Sequence, residues 1–442
     1  MTVINRRTLI VLASTLGVVL VSLLLLGAAG MAAAAEGEID LGVTLRAPEH
    51  VAPDSTFVIN LAYSNTGTLA SPADTWASVT LPDGVSFVGA TDRQGAPLSP
   101  DQIQGNTITW VLGALPAGEC CGHILITVQT ASDLPEETAL QVSAEIGSSA
   151  VETNMANNTA DVTSTICDMA GSTKQVQARE IKPGDILTYT ITLNLAKRMV
   201  MTDMQSRQVT LTDTLPNQNQ VRFLGWTGEV QGEVVGQELR WQGQVRAGEP
   251  LKLQYRLGVV GDVVSGTVIT NGAHLAWGGG KFDIDPVTTT VTLPPYARMI
   301  GPQGYTWRHE QGVDIEVPPH TVTDTTRFEF RPITDTHKMQ GPPGWMFAHQ
   351  AFELTAFRFG EVNQFGQSIT LTVHFKPEDL AGLKQNTLRL WYRNGPGEAW
   401  KMLGEPLQSG PGYLSFQTNH FTEFALFGEA NFHIHLPMVL GK

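Results

Sequence analysis

An internal repeat constrains the fold of this chain more than any other sequence feature. Trp110 and Trp241 lie 131 residues apart in similar segments, and Gly118 and Gly248, in the Ala-Gly-Glu sequences that follow, lie 130 apart. A nearly constant offset between several landmarks indicates a tandem duplication of one unit. A unit of this length is a complete domain, so the sequence predicts two copies of one domain between residues 40 and 294.

Apolar and polar residues alternate within both copies, as they do in half-buried strands. The alternation is clear at residues 56–63, 123–128 and 188–193, which are rich in β-branched and aromatic side chains, and it returns beyond the repeat at residues 368–375. Short strands at regular spacing are typical of antiparallel sandwiches. We therefore predict an all-β fold with three tandem antiparallel β-sandwich domains.

The domain boundaries follow from the repeat and from a change in composition after Pro294. The predicted segments are a signal peptide or signal anchor at 1–35, sandwiches at 36–166, 167–294 and 295–428, and a C-terminal tail at 429–442. The tail ends in Leu-Pro-Met-Val-Leu-Gly-Lys, and an added edge strand and a docking peptide are both compatible with it.

The N-terminal segment has the pattern of an export signal. Arg6 and Arg7 precede an uncharged, apolar stretch that extends to Ala35. The small residues before Glu36 favour cleavage after Ala35, whereas an uncleaved stretch of this length can anchor a chain in a membrane. Both alternatives predict an extracellular or cell-surface chain. The chain contacts a membrane only if the N-terminal segment stays uncleaved.

The charge of the chain argues against nucleic acid as a partner. The sequence has 28 Lys and Arg residues against 42 Asp and Glu, a formal net charge of −14, whereas phosphate binding requires clustered cations. The first sandwich carries most of this negative charge, with Arg46 and Arg93 as its only cations. Its acids do not follow the alternating pattern of a calcium loop, and calcium binding by this domain is left open.

Recognisable catalytic and metal-binding patterns are absent from the sequence. His309-Glu310 lacks the second histidine of H-E-x-x-H, and the glycines before Lys281 precede Phe282 where a phosphate-binding loop needs Ser or Thr. His433 and His435 share one face of an extended segment, but no third ligand accompanies them. We expect no enzyme activity, no cofactor and no metal site.

Several segments resemble the immunoglobulin-like "conserved repeat domain" of bacterial and archaeal cell-surface proteins. They are Asn65-Thr66-Gly67 and residues 80–85, 110–118 and 154–160. The resemblance covers residues 40–166 more fully than 172–294, because the second copy lacks the Asn-Asn-Thr ending and inserts residues 197–201. It implies an Ig-like fold and a place in stalks or arrays of secreted proteins, without chemistry.

The third domain is similar, over short motifs at 313–319, 375–383 and 388–392, to β-rich domains of bacterial surface proteins and to ZU-type sandwiches. His420-Phe421-Thr422 resembles the segment at which some ZU-type domains cleave themselves. The resemblance implies that His420 would accept the Thr422 hydroxyl proton while the Thr422 oxygen attacks the Phe421 carbonyl. A closing strand is the alternative.

Three cysteines, Cys120, Cys121 and Cys167, lie in a chain expected in an oxidising compartment. Strand parity predicts that Cys120 points inward and that Cys121 and Cys167 point outward. We therefore predict a Cys121–Cys167 disulfide, with three unpaired cysteines as the alternative.

The sequence thus favours a non-catalytic secreted or cell-surface structural or adhesion protein. Its partner would be a cell-surface, matrix or glycan ligand whose identity the sequence does not encode, because sandwich domains bind through loops. The alternative is a secreted hydrolase, or a self-cleaving surface protein, with its site in the C-terminal domain.

Overall fold

The computed structural model describes residues 37–152, 154–197, 206–335 and 339–431. Its regular structure is almost entirely antiparallel sheet, with two short 3₁₀ helices at Pro377–Leu380 and Gln385–Thr387. The predicted all-β fold is confirmed. The chain divides into two compact units, one ending at Cys167 and one beginning at Asp168. Neither described helix is long and apolar enough to cross a membrane.

The first unit contains one sandwich. Its strands are β1 (Leu41–Arg46), β2 (His50–Val51), β3 (Thr56–Asn65), β4 (Trp76–Thr80), β5 (Val85–Thr91), β6 (Gln102–Gln104), β7 (Thr107–Val111), β8 (Glu119–Thr130), β9 (Ala139–Gly147) and β10 (Thr159–Ile166). They form a four-stranded sheet in the order β1-β3-β8-β5 and a six-stranded sheet in the order β2-β10-β9-β4-β7-β6.

The second sandwich opens the other unit. Its strands are β11 (Thr173–Val176), β12 (Glu180–Ile181), β13 (Ile186–Leu193), β14 (Ser206–Thr214), β15 (Val221–Trp226), β16 (Glu233–Val235), β17 (Glu238–Arg246), β18 (Leu251–Val259), β19 (Val268–Trp277) and β20 (Gly280–Val291). Their orders, β11-β13-β18-β15 and β12-β20-β19-β14-β17-β16, repeat those of the first sandwich ten strands further on. The shared topology shows that the sequence repeat is a duplicated fold.

The third sandwich follows in the same unit. Its strands are β21 (Ala297–Ile300), β22 (Tyr305–His309), β23 (Val313–Val317), β24 (Thr326–Pro332), β25 (Trp345–Phe357), β26 (Gln364–His374), β27 (Arg389–Arg393), β28 (Lys401–Met402), β29 (Gln408–Gly410), β30 (Tyr413–His420) and β31 (Glu423–Glu429). They form sheets in the orders β21-β24-β25-β31-β27-β28 and β22-β23-β26-β30-β29. This topology differs from that of the repeat.

Alternating inward residues build each core, because successive side chains of a strand point to opposite faces. In β9, for example, exposed and buried residues alternate from Ala139 to Ile146. Trp110, shared by the two copies, is buried in the first core, and its counterpart Trp241 is half-buried. Gly118 and Gly248 both have positive φ, so the Ala-Gly-Glu sequence is a turn in both copies.

Candidate functional site

The sequence-predicted residues of the C-terminal domain lie at a surface cleft of about 460 Å³. The cleft forms where β30 ends at His420 and β31 begins at Glu423. Phe421, between these strands, is 6% exposed and joins the core, where its ring lies edge-on to Phe328 with centroids 5.1 Å apart. The segment is therefore anchored by an apolar side chain, with polar neighbours left at the cleft.

The geometry does not join His420 and Thr422 as a base and a nucleophile. Thr422 Oγ1 donates a hydrogen bond to the Arg393 carbonyl. His420 Nδ1 instead lies 3.3 Å from Thr418 Oγ1 and 3.4 Å from Asn419 Oδ1. Burial lowers the pKa of His420, which keeps its ring neutral at pH 7. None of residues 420–422 has a left-handed backbone, so strain of that kind is not stored at the Phe421–Thr422 peptide.

Two carboxylates of the cleft lie on neighbouring strands. Glu353 of β25 and Glu423 of β31 are register partners, and side chains of directly opposed residues in antiparallel strands are close neighbours. Arg393 donates to Glu423 Oε2 at 2.5 Å, so one of the two carboxylates is already held in an ion pair. The cleft therefore presents a carboxylate pair, which is the arrangement that a hydrolase would need, with one member neutralised.

The structure places Cys121 and Cys167 at different ends of the first sandwich. The Cys167 amide donates to the Val51 carbonyl at 2.9 Å, and the Ala52 carbonyl accepts from Thr130, the last residue of β8, at 2.8 Å. Cys121 lies nine residues earlier on β8, about 30 Å away along an extended strand. A disulfide needs Cα atoms about 4.4–6.8 Å apart, so this placement does not bring the predicted partners together.

The predicted outward orientation of Cys167 is wrong, because the residue is 2% exposed. β10 ends at Ile166, and the chain leaves the strand there, so strand parity no longer applies to the next residue. The side chains of Cys120 and Cys121 lie outside the described part of the structure.

The other predicted positions give little chemistry. Ala35, His433 and His435 lie outside the described residues. His309 stacks on Phe330 with ring centroids 3.9 Å apart, which explains it as a packing residue. Among the residues that the structure describes, no three His, Cys, Asp or Glu side chains gather in a way that could hold a metal ion.

A junction of buried charges connects the second and third sandwiches, and the sequence pattern did not reveal it. Arg327 of β24 is 1% exposed. Its guanidinium lies 2.8 Å from Glu329 Oε1 and 2.7 Å from Asp185 Oδ1, and it also donates to the Pro183 carbonyl. Lys182 Nζ reaches the same Glu329 carboxylate at 3.2 Å. Residues 182–185 thus bind the third sandwich through fixed charge pairs.

The core of the second sandwich contains a second unexpected feature, a buried polar cluster. Lys174 Nζ of β11 lies 2.8 Å from Asp213 Oδ2 of β14, and both side chains are 0% exposed. Tyr255 donates to the same oxygen at 2.6 Å, and Asn271 Nδ2 of β19 donates to the Tyr255 hydroxyl at 2.8 Å. The Tyr189 ring stacks on Tyr255 with centroids 5.3 Å apart.

Burial perturbs both charged members of this polar cluster. It lowers the pKa of Lys174 to about 8, although the charge of Asp213 opposes the shift. It also raises the pKa of Asp213, against the opposing effect of Lys174. Both shifts favour the neutral amine and the neutral acid, as expected for groups removed from water. A signal for these residues was present in the repeat, because Asp213 occupies the place of Val79 beside the shared Thr-Leu-Pro sequence.

Comparisons with known proteins give structural likenesses only. No family model and no curated protein matches the chain. It is similar to the CARDB domain of a Pyrococcus furiosus protein, with 17% identity over 29% of this chain and 90% of that domain and a TM-score of 0.20. The C-terminal domain of the Streptococcus pyogenes antigen I/II-family protein AspA shows 11% identity over 57% of this chain and 99% of that one, with a TM-score of 0.20. BcpA, the major pilin subunit of Bacillus cereus, shows 11% identity over 57% and 67% of the two chains, with a TM-score of 0.21.

Proposed function

We propose that this chain is a non-catalytic, extracellular structural protein that holds its domains at the cell surface or in a secreted matrix. The observation that carries the proposal is the junction between the second and third sandwiches. Arg327 and Glu329 are buried there with Asp185 and Lys182 as partners. A junction of this kind fixes the orientation of two domains, which is what a spacer or stalk requires.

Backbone contacts reinforce the same junction. The Gly360 amide donates to the Gly184 carbonyl at 3.2 Å across the two sandwiches. A Cβ atom at Gly261 would collide with the Thr325 carbonyl, so the two domains approach there as closely as backbones allow. We infer that these two sandwiches act as one rigid rod segment.

The proposed location rests on the sequence of residues 1–35, which has the features of an export signal. Protease treatment of intact producing cells, followed by immunoblotting with an antibody against the third sandwich, tests the location. Loss of the immunoblot signal while a cytoplasmic marker protein stays intact supports surface display, and recovery of the chain in the medium supports secretion. Full protection in intact cells would contradict both.

Rigidity is tested by small-angle X-ray scattering of the mature chain and of Gly261→Val, with Gly278→Val as the matched control in an exposed hairpin where a Cβ atom meets nothing within 4 Å. We expect Gly261→Val to broaden the distribution of molecular dimensions and the control to leave it unchanged. Equal scattering from all three proteins would remove the support that the junction gives to a spacer role.

A ligand contacted by this protein would most simply meet the C-terminal cleft, whose lining includes Tyr392, Asn394 and Lys401. Polar side chains beside an aromatic ring suit a glycan or a peptide.

The second candidate function, hydrolysis, is favoured by the Glu353–Glu423 pair alone. Incubation of the mature chain with wall polysaccharides and assay of reducing ends separates these alternatives, with Glu353→Gln as the variant that must abolish any true activity.

A further inference from the structure

The two copies of the repeat can be aligned residue by residue through their hydrogen-bond registers. The β-bulge after Phe87 in β5 has a counterpart after Phe223 in β15, and Trp110 and Trp241 occupy matching places in β7 and β17. Counting along the paired strands identifies the equivalents of the polar cluster. The first-sandwich residues at the positions of Lys174, Asp213, Asn271, Tyr189 and Tyr255 are Leu45, Val79, Val142, Ile59 and Ile126, respectively.

All five equivalent residues are apolar. Four of them are buried in the core of the first sandwich, and Leu45 is partly buried and packs against it. The same frame closes around an entirely apolar set, so the fold itself does not require the polar cluster. Buried ion pairs often stabilise less than well-packed apolar residues would, because desolvation offsets the attraction. A cluster that the fold does not need, kept at that cost, calls for a chemical explanation.

The contacts within the cluster supply one. Lys174 Nζ donates both to Asp213 and to the carbonyl of Gly272, the latter at 2.9 Å, so the amine lies against the chain next to Asn271. Among the described residues, Asn271 Oδ1 is buried without a hydrogen-bond partner, as is Asp213 Oδ1. An amine, a carboxyl group and a carboxamide with an unsatisfied carbonyl oxygen thus share one pocket closed to water.

We propose that Lys174 and Asn271 become joined by an amide bond between Nζ and Cγ, with Asp213 as the group that moves the protons. Asp213 accepts a proton from the Lys174 ammonium, and the neutral amine attacks Asn271 Cγ. The protonated Asp213 then delivers its proton to the departing nitrogen and accepts the second proton of the attacking nitrogen, so that Asp213 ends as a neutral acid. The new Nζ–Cγ bond replaces the Cγ–Nδ2 bond, one ammonia is released, and no oxidant or other reactant is consumed.

Asn271 rather than Asp213 is assigned as the acyl group because the reaction needs a proton carrier. If Asp213 itself supplied the acyl group, the two tyrosines would be the only proton carriers left in the described cluster. Burial raises the pKa of both tyrosines, which makes them poor proton carriers near pH 7. The shifted pKa values of Lys174 and Asp213 bring the amine and the acid closer together in basicity, which eases proton transfer between them.

The bond would join the two sheets of the second sandwich. Lys174 lies in the four-stranded sheet and Asn271 in the six-stranded sheet, so the link would tie the first strand of this domain to its penultimate strand. Covalent closure of this long segment restricts the unfolded chain, as a disulfide does. This property extends the structural function proposed above but does not depend on it.

Mass spectrometry of the purified, reduced mature chain tests the proposal. We expect an intact mass lower by one ammonia than the sequence requires, and a branched tryptic peptide that contains both Lys174 and Asn271. Asp213→Ala should restore the full mass. Loss of one water with a Lys174–Asp213 peptide would overturn the assignment, and the full sequence mass without a branched peptide would show an ion pair only.

Asn271 precedes Gly272, and succinimide formation at such a sequence also releases ammonia without any lysine. Lys174→Leu, which restores the residue of the first copy, separates the two reactions: it should return the full mass, and an ammonia loss that persists in this variant would overturn the proposal. Lys281→Leu, at an exposed position of β20, is the matched control and should keep both the mass loss and the branched peptide. The branched peptide from the wild-type chain decides the question even if a variant fails to fold.

Discussion

Replacing Arg327 by alanine tests whether the junction between the second and third sandwiches depends on buried charge. The substitution removes the ion pairs with Asp185 and Glu329 and the hydrogen bond to the Pro183 carbonyl. It also removes the guanidinium from the face of Phe357, 4.3 Å from the ring centroid. The variant therefore leaves a buried carboxylate short of one partner and an aromatic face uncovered.

The expected loss can be scaled from these contacts. Removing one partner of a buried ion pair costs about 3–5 kcal/mol of unfolding free energy. Glu329 keeps Lys182 at 3.2 Å and Arg331 at 2.7 Å, so its charge stays partly compensated. We expect Arg327→Ala to lower the unfolding free energy of this unit by about 3 kcal/mol.

Arg331→Ala is the matched control because it removes another arginine from the same carboxylate. The Arg331 side chain is 50% exposed, and exposed ion pairs contribute about 1 kcal/mol or less. The two substitutions thus remove the same side chain from the same carboxylate. They differ in the burial of that side chain and in the contacts with Asp185, Pro183 and Phe357 that Arg327 makes.

Urea unfolding of the mature chain, followed by tryptophan fluorescence, reports mainly on this unit, because seven of the nine tryptophans lie beyond Asp168. We expect the midpoint to fall clearly for Arg327→Ala and only slightly for Arg331→Ala. Equal losses in the two variants, or a loss below about 1 kcal/mol for Arg327→Ala, would show that burial does not set the strength of the junction.

Two further outcomes follow from the described contacts. Burial alone would raise the pKa of Glu329, but the hydrogen bond from Lys182 and the charge of Arg327 hold it below its ordinary value of 4.5. The stabilisation from this carboxylate is therefore complete above pH 4.5 and is lost as the pH falls through the lowered pKa of the folded state. Glu329→Gln should reduce the fall in unfolding free energy at acid pH, measured by urea unfolding across this range. Because Thr422 donates to Arg393 and is not paired with His420, intact-mass analysis should find one uncleaved chain in both wild type and Thr422→Ala, and a fragment that ends at Phe421 in the wild type alone would contradict this.

The architecture was predictable because its signals are local. Alternation of apolar residues identifies a strand and its inward face without knowledge of the partner strand. The positive φ of Gly118 and Gly248 and the hairpin between Trp277 and Gly280 follow from turn chemistry in short segments. The duplication was visible in the sequence for a similar reason, since matching landmarks at a fixed offset require no three-dimensional information.

The cysteines show where local reasoning ends. Strand parity assigned Cys167 an outward direction, but the residue follows the last paired position of its strand and is buried. Parity also says nothing about position along a strand. It therefore did not reveal that Cys121 lies near the start of β8, whereas Cys167 lies near the other end of that strand.

The fold class, the repeat and most inward-facing positions follow from the sequence alone, because each depends on neighbours along the chain. Which inward positions meet one another depends on the three-dimensional fold. Lys174, Asp213, Tyr255 and Asn271 lie on strands far apart in sequence, and the series of contacts that links them depends on sheet order, register and the packing of two sheets. Arg327 likewise finds Asp185 only because two domains dock. Contacts of this kind arise from the simultaneous placement of several strands, which no short stretch of sequence specifies.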